Sequence, residues 1–146
     1  MKLKLLLPIL FVFYSCSQDT SIDRNDLIEK AGAPLLNGLG SHSFTISSKV
    51  EGVQDYFNQG LIMAFAFNHA ESIRSFKAAQ KLDPNCAICF WGEALALGPN
   101  INVTSDGKAI MSPQERLDAF ERTNKAMSLI EFASPKEKDF ILTLKS

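Results

Sequence analysis

The sequence predicts an all-α fold, a set of antiparallel helix pairs stacked into an incomplete right-handed α-solenoid. Three observations carry the prediction. A spacing of aromatic, small and large apolar residues between Tyr56 and Pro84 reappears, weakened, 34 residues later. Helix punctuation separates the periodic stretches: Pro84, the Gly-, Asn- and Ser-rich residues 98–112, Ser112-Pro113 and Ser134-Pro135. Hydrophobic residues make up 46% of the 146 and charged residues 21%, so a packed core is within reach and bulk disorder is excluded.

The N-terminus lies outside that fold. Lys2 and Lys4 precede an apolar run from Leu5 to Tyr14, and Ser15-Cys16 follow. A charged start, a short apolar core and a small residue at the cut describe a secretory signal over residues 1–15. The run is too short to span a bilayer, which takes about 20 apolar residues. The Ser15-Cys16 step resembles a bacterial lipobox, which makes Cys16 the expected lipidation site and first mature residue. Phe13 and Tyr14 are bulkier than the residues usual there, and an ordinary secretory signal cut beside Cys16 is the other reading. Residues 16–40, opening with hydrophilic SQDTSIDRND, read as a polar tether, and 41–146 as the helical domain. The expected location is the bacterial cell envelope, with the membrane reached through a lipid anchor. Ser17, in place of an Asp, points to the periplasmic side of the outer membrane; without a lipid on Cys16 the chain is secreted.

Residues 53–86 form the first repeat. Tyr56, Gly60, Met63, Ser72, Phe76, Ala79 and Pro84 follow the spacing aromatic-x3-Gly-x2-large apolar, then small-x3-Phe-x2-Ala-x4-Pro. This resembles the tetratricopeptide repeat (TPR), a 34-residue pair of antiparallel helices. Gly60 lets the first helix approach the second, Phe76 fills the space between them, Ala79 keeps the crossing tight, and Pro84 ends the second helix. Shifted by 34, Tyr56 becomes Phe90, Phe57 becomes Trp91, Gly60 becomes Ala94 and Met63 becomes Leu97. This second repeat, 87–133, is interrupted by the loop at 98–112. Helix periodicity resumes at Pro113, with Leu117, Phe120, Ala126, Met127 and Ile130 expected to be buried. Ala119-x3-Thr123-x2-Ala126 falls 13 residues later than a strict repeat requires, with Thr123 where the packing Phe belongs. A further helix is expected over 135–146, with Phe140, Ile141 and Leu144 left uncovered. About three repeats are usually needed for stability, so further repeats or self-association are expected.

Three constellations are candidates for chemistry. His69-x-Glu71 followed by Pro84, Cys86 and Cys89 has the inventory of a zinc-dependent nucleobase deaminase. A helix over about 70–82 holds His69 and Cys86 roughly 20 Å apart at ~1.5 Å per residue, whereas zinc ligands sit within ~2.3 Å of one ion. No metal site is therefore expected there. Cys86 and Cys89 alone are residues i and i+3 at a helix start, within bridging distance in an oxidising envelope. They read as a structural disulfide or as two small buried thiols; a redox-responsive pair is the alternative. Antiparallel packing brings Asn68, His69 and Glu71 toward Asn100 and Asn102. There Asn68 is expected to cap its helix and His69 to bond loop carbonyls, with a small ligand- or metal-binding pocket as the sharper alternative. His42 has no partner in the sequence.

The blocks FNHAE, DPNCAIC-FWGEA and GPNIN resemble a family of bacterial secreted or lipid-anchored TPR-containing proteins, over about residues 40–144. That resemblance implies a helix-pair array with an interaction role, and no catalytic residues. The functional expectation is a non-catalytic envelope scaffold whose concave surface docks an extended peptide or a helix of another protein, of unknown identity. A formal net charge of −1 makes no electrostatic case for nucleic acid. No cofactor is expected, and the chain shows no Ser/His/Asp arrangement and no Gly-rich phosphate loop.

Overall fold

The structure, a computed structural model, describes residues 23–99 and 111–144. The signal at 1–15, Cys16, Asn100 and Asn102 lie outside the described residues. Those described form an all-α chain. Helix α1 spans Arg24–Ala31, α2 Val53–Phe65, α3 His69–Leu82, α4 Ala87–Leu97, α5 Pro113–Ser128 and α6 Pro135–Thr143, with a 3-10 turn at Ile130–Phe132. Helices α2, α4 and α6 touch in that order, α3 packs against both α2 and α4, and α5 against both α4 and α6.

The reading of residues 16–40 as a tether needs correction. Within it, Arg24–Ala31 is a helix that stops at Gly32, whose left-handed φ of 73° and N–H bond to the Ile28 carbonyl close the last turn. Leu27 and Ala31, four residues apart, put one buried stripe on a helix that is otherwise polar, and α1 packs on α3. The mean polarity of this stretch hides that stripe.

The helix starts follow local chemistry. Asn68 Oδ1 accepts from the Glu71 N–H at the start of α3. Ser112 and Ser134 each form a reciprocal capping box, with Glu115 and Glu137 respectively, and each is followed by a proline at the first helical position. Pro84 is exposed in the turn after α3, consistent with ending that helix.

The core is organised around Phe76, which is fully buried. A Cβ placed on Gly60 of α2 or on Gly92 of α4 would run into its ring, so both helix backbones close on the two glycines. Phe57 meets the same ring edge-on at 5.5 Å between centroids. Ser72, also buried, donates its hydroxyl to the Gly60 carbonyl at 2.7 Å. Tyr56, Met63, Ala79, Phe90, Trp91 and Ala94 are buried as well, and Leu97 is half-buried.

Two burial expectations fail. Leu117 and Phe120 are 49% and 64% exposed, because only the C-terminal half of α5 packs inward, through Ala126 with Met127 and Ile130 beside it. Conversely Ile141 is fully buried, while Phe140, 37% exposed as expected, has one side edge-on against Phe44 at 5.2 Å and Trp91 at 5.4 Å. The face of α6 expected to lie bare is covered in part by residues that precede α2.

Gly92→Ala forces a methyl into a ring that already has glycine on both sides, and is expected to cost about 1–3 kcal/mol of unfolding free energy. Phe76→Ala leaves a cavity at the same place and is expected to cost about 3–5 kcal/mol. Urea titration of the two variants beside the native chain reads both; a Gly92→Ala chain as stable as the native one contradicts the wedge.

Candidate functional site

The chain between α1 and α2 has little regular structure, yet it is held at almost every step. Residues 33–48 form a strap laid along α2. At its start the Tyr56 hydroxyl donates to the Ala33 carbonyl at 2.6 Å; burial pushes the Tyr56 phenol up, partly offset by Arg24, so it stays the donor. Gln59, buried in α2, accepts from the Leu36 N–H at 2.7 Å and donates to the Pro34 carbonyl at 3.0 Å and to Ser75 of α3 at 2.9 Å. One side chain thus links strap, α2 and α3 with its amide satisfied at both ends.

Further along, two more amides of α2 grip the strap. Asn58 Oδ1 accepts from the Phe44 N–H at 3.1 Å. Gln54 accepts from the Ile46 N–H at 3.0 Å and donates to the Phe44 carbonyl at 2.9 Å. These are the groups a neighbouring β-strand would engage, supplied here by a helix surface. Side chains alternate as an extended chain requires: Phe44 and Ile46 face inward, while Ser43 and Thr45 are exposed. Ile46 is 3% exposed. The Phe44 ring meets Phe57 of α2 at 5.9 Å and Phe140 of α6, with the Lys136 ammonium 4.2 Å from its centroid.

The strap ends where α3 gives way to α4 and the 3-10 turn to α6. Ser47 N–H donates to Glu137 Oε1 at 2.9 Å, and Ser48 donates its hydroxyl to Asp83. Glu137 is fully buried, and its other oxygen accepts from the Ser134 N–H at 2.6 Å. Burial pushes the Glu137 carboxyl up, but hydrogen bonds from Ser134 and Ser47 outweigh it and hold the group below the usual range. Beside this corner Cys86 and Cys89 form a disulfide across the first turn of α4, with Cα atoms 5.3 Å apart. Cys86 shares a small cleft with Ser47, Ser48, Asp83 and Phe132.

Of the predicted polar edge, Asn68, His69 and Glu71 lie among the described residues. Asn68, His69 and Glu71 share the first turn of α3, and Glu71 pairs with Arg74 at 3.1 Å. His69 does not bond a loop carbonyl among the described residues: both ring nitrogens are buried and unpartnered, as is Glu71 Oε1. The Phe67 ring stands edge-on to the imidazole at 6.5 Å, on a residue with φ of 60°. His42 is exposed on the strap. Among the described residues no group of three or more His, Cys, Asp or Glu side chains could hold a metal ion, and no helix is long and apolar enough to cross a membrane.

Sequence reasoning alone does not single out the residues that hold the strap, Gln54, Asn58, Phe44 and Glu137. Two signals for them exist. SFTIS alternates polar and apolar residues at the period of an extended, half-buried chain. Ser134 and Glu137 have the spacing of a capping box. The chain matches no family model, no curated protein and no solved structure.

Two measurements test this geometry. A carboxyl whose pKa is lowered by folding stabilises the fold fully above its unfolded-state pKa, and that contribution is lost as pH falls through the folded-state value. Glu137→Gln is therefore expected to lower stability by about 1–3 kcal/mol at neutral pH and by progressively less as pH falls below the ordinary carboxylate range, as read by urea unfolding over that span. Reduction of the Cys86–Cys89 bridge frees only a short loop, and is expected to cost about 2 kcal/mol with α4 retained. Thermal unfolding followed by circular dichroism, with and without reductant, measures that.

Proposed function

We propose that this chain is a TPR-like, non-catalytic interaction module, held at the cell envelope by lipid on Cys16, whose α2/α4/α6 face binds an extended polypeptide segment. The observation that supports this reading is the pairing of Gln54 and Asn58 with the backbone of Phe44 and Ile46. A helix face able to satisfy an extended backbone through side-chain amides, and to seat an aromatic side chain beside it, has the parts of a peptide receptor. The order of helix contacts, with α2, α4 and α6 adjacent and α3 and α5 packed against them, agrees with a helix-pair array. The envelope assignment rests on the signal and the Ser15-Cys16 step alone.

A second reading takes a small polar ligand at the start of α3, because the buried His69 nitrogens and Glu71 Oε1 have no partner among the described residues. Ligand-dependent thermal stabilisation that His69→Ala abolishes is its signature.

The leading reading is tested by placing a photo-crosslinking residue at position 136, beside the strap, or at position 121 on the exposed side of α5. Crosslinks to other envelope proteins are expected from 136 and not from 121; equal yields from both overturn the reading. Cys16→Ser is expected to abolish incorporation of labelled fatty acid and release the protein from membranes.

A further inference from the structure

The binding face proposed above is already occupied, by residues 43–47 of the same chain. The polar side chains of α2 and α6 that hold this segment are engaged with its backbone. Asn58 holds the Phe44 N–H, Gln54 holds the Phe44 carbonyl and the Ile46 N–H, and Glu137 holds the Ser47 N–H. The apolar positions are filled too, with Phe44 against Phe57 and Phe140 and Ile46 buried. A second extended segment cannot engage these groups until the first has left.

We infer that residues 43–47 are a built-in competitor, and that the face selects extended segments with an aromatic residue two positions before a branched aliphatic one. This rests on the reading of the face as a peptide receptor, and adds to it both a ligand pattern and a means of control.

The pattern follows from the geometry. The bonds from Gln54, Asn58 and Glu137 to strap backbone atoms carry no side-chain preference. The Ser43 and Ser47 hydroxyls add one bond each, with Asn58 and the Phe132 carbonyl, and the strongest selection falls to the two inward side chains. One seat is ringed by aromatic edges with a cation over the ring face, which favours Phe, Tyr or Trp. The other encloses Ile46, the β-branched residue that suits an extended backbone. The residue between them, Thr45, is exposed and unrestricted.

The control follows from how the competitor is attached. It is joined to the well-anchored residues 33–36 through a linker with Gly38 and Gly40 at φ of 79° and 85°, neither with any atom close enough to meet a Cβ. Gly52, with φ of 80°, marks the other end. Residues 33–36, held by Tyr56 and Gln59, and Ser48, held by Asp83, anchor the two ends, and residues 43–47 must leave the face between them for another segment to bind. An intramolecular competitor lowers apparent affinity by the fraction of time it leaves the face open. Weakening the competitor raises that fraction without altering the receptor side.

The experiment uses the mature chain and a fluorescent synthetic peptide of residues 41–48, SHSFTISS, followed by anisotropy. In the Phe44→Ala chain the peptide is expected to bind about tenfold or more tighter than in the native chain. A control peptide lacking its own phenylalanine is expected to bind neither. Since Phe44→Ala also removes a core contact, the native chain provides an independent readout. On saturation with peptide, hydrogen exchange at the Phe44, Ile46 and Ser47 amides is expected to accelerate while that of α3 stays unchanged. Equal affinity for both chains, or peptide bound with those three amides still protected, overturns the competitor and leaves the receptor reading standing. Absence of binding to a folded Phe44→Ala chain overturns both. Concentration-dependent dimers of the native chain that exchange straps, and that the peptide dissociates, support the inference with a second copy as the natural ligand.

Discussion

Phe76 is the contact on which the rest of the helix packing depends. Its ring enters α3's interface with two other helices at once, and it can do so only because α2 and α4 each present a glycine to it. Helix backbones this close put their polar groups within reach of one another, which is why Ser72 bonds the Gly60 carbonyl across the same seam. A glycine inside a helix costs about 1 kcal/mol relative to alanine, so two of them here signal that the close approach stabilises by more than their helix propensity loses. The three helices held this way form the rigid surface on which everything else is laid.

The strap belongs to that surface rather than to a regular element. A chain without helix or sheet must place each buried N–H and C=O on some partner, and here the partners are Gln54, Asn58, Gln59 and Glu137. Because these are side chains on helices, the strap's course is set by helix packing: α4 holds α2 and α6 at the spacing that lets Phe44 touch Phe57 of one and Phe140 of the other. Glu137 serves two elements at once. The same carboxylate caps α6 through Ser134 and receives the strap at Ser47, so a helix start and a tertiary contact share one buried charge. Filled in this way, the face of α2 and α6 is covered by the chain's own strap.

Much of the helical framework is legible in the sequence. Asn68, Pro84, Ser112-Pro113 and Ser134-Pro135 mark helix ends through bonds that span three or four residues, so a short window of sequence contains the whole signal. The spacing of Gly60 and Phe76 also reports a contact between consecutive helices. Gly92 is harder to see, because its partner belongs to a different helix pair and Ala94 occupies the position to which the 34-residue shift points. Burial along α5 misleads for a related reason. Leu117 and Phe120 have helical periodicity, but periodicity states which face is apolar and not whether another helix lies against it.

The sequence by itself determined the all-α class, the starts of α3, α5 and α6, the close approach at Gly60 and the local spacing that lets Cys86 meet Cys89. Each of these is decided within a turn or a single helix hairpin, where chain connectivity limits the choices. Only the tertiary structure decided that residues 33–48 pack instead of dangling and that Ile141 and Glu137 are buried. Those outcomes depend on groups up to 90 residues apart, such as Ser47 and Glu137. Their meeting is fixed by how closely α2, α4 and α6 approach, and that distance is set by a phenylalanine ring resting on two glycines.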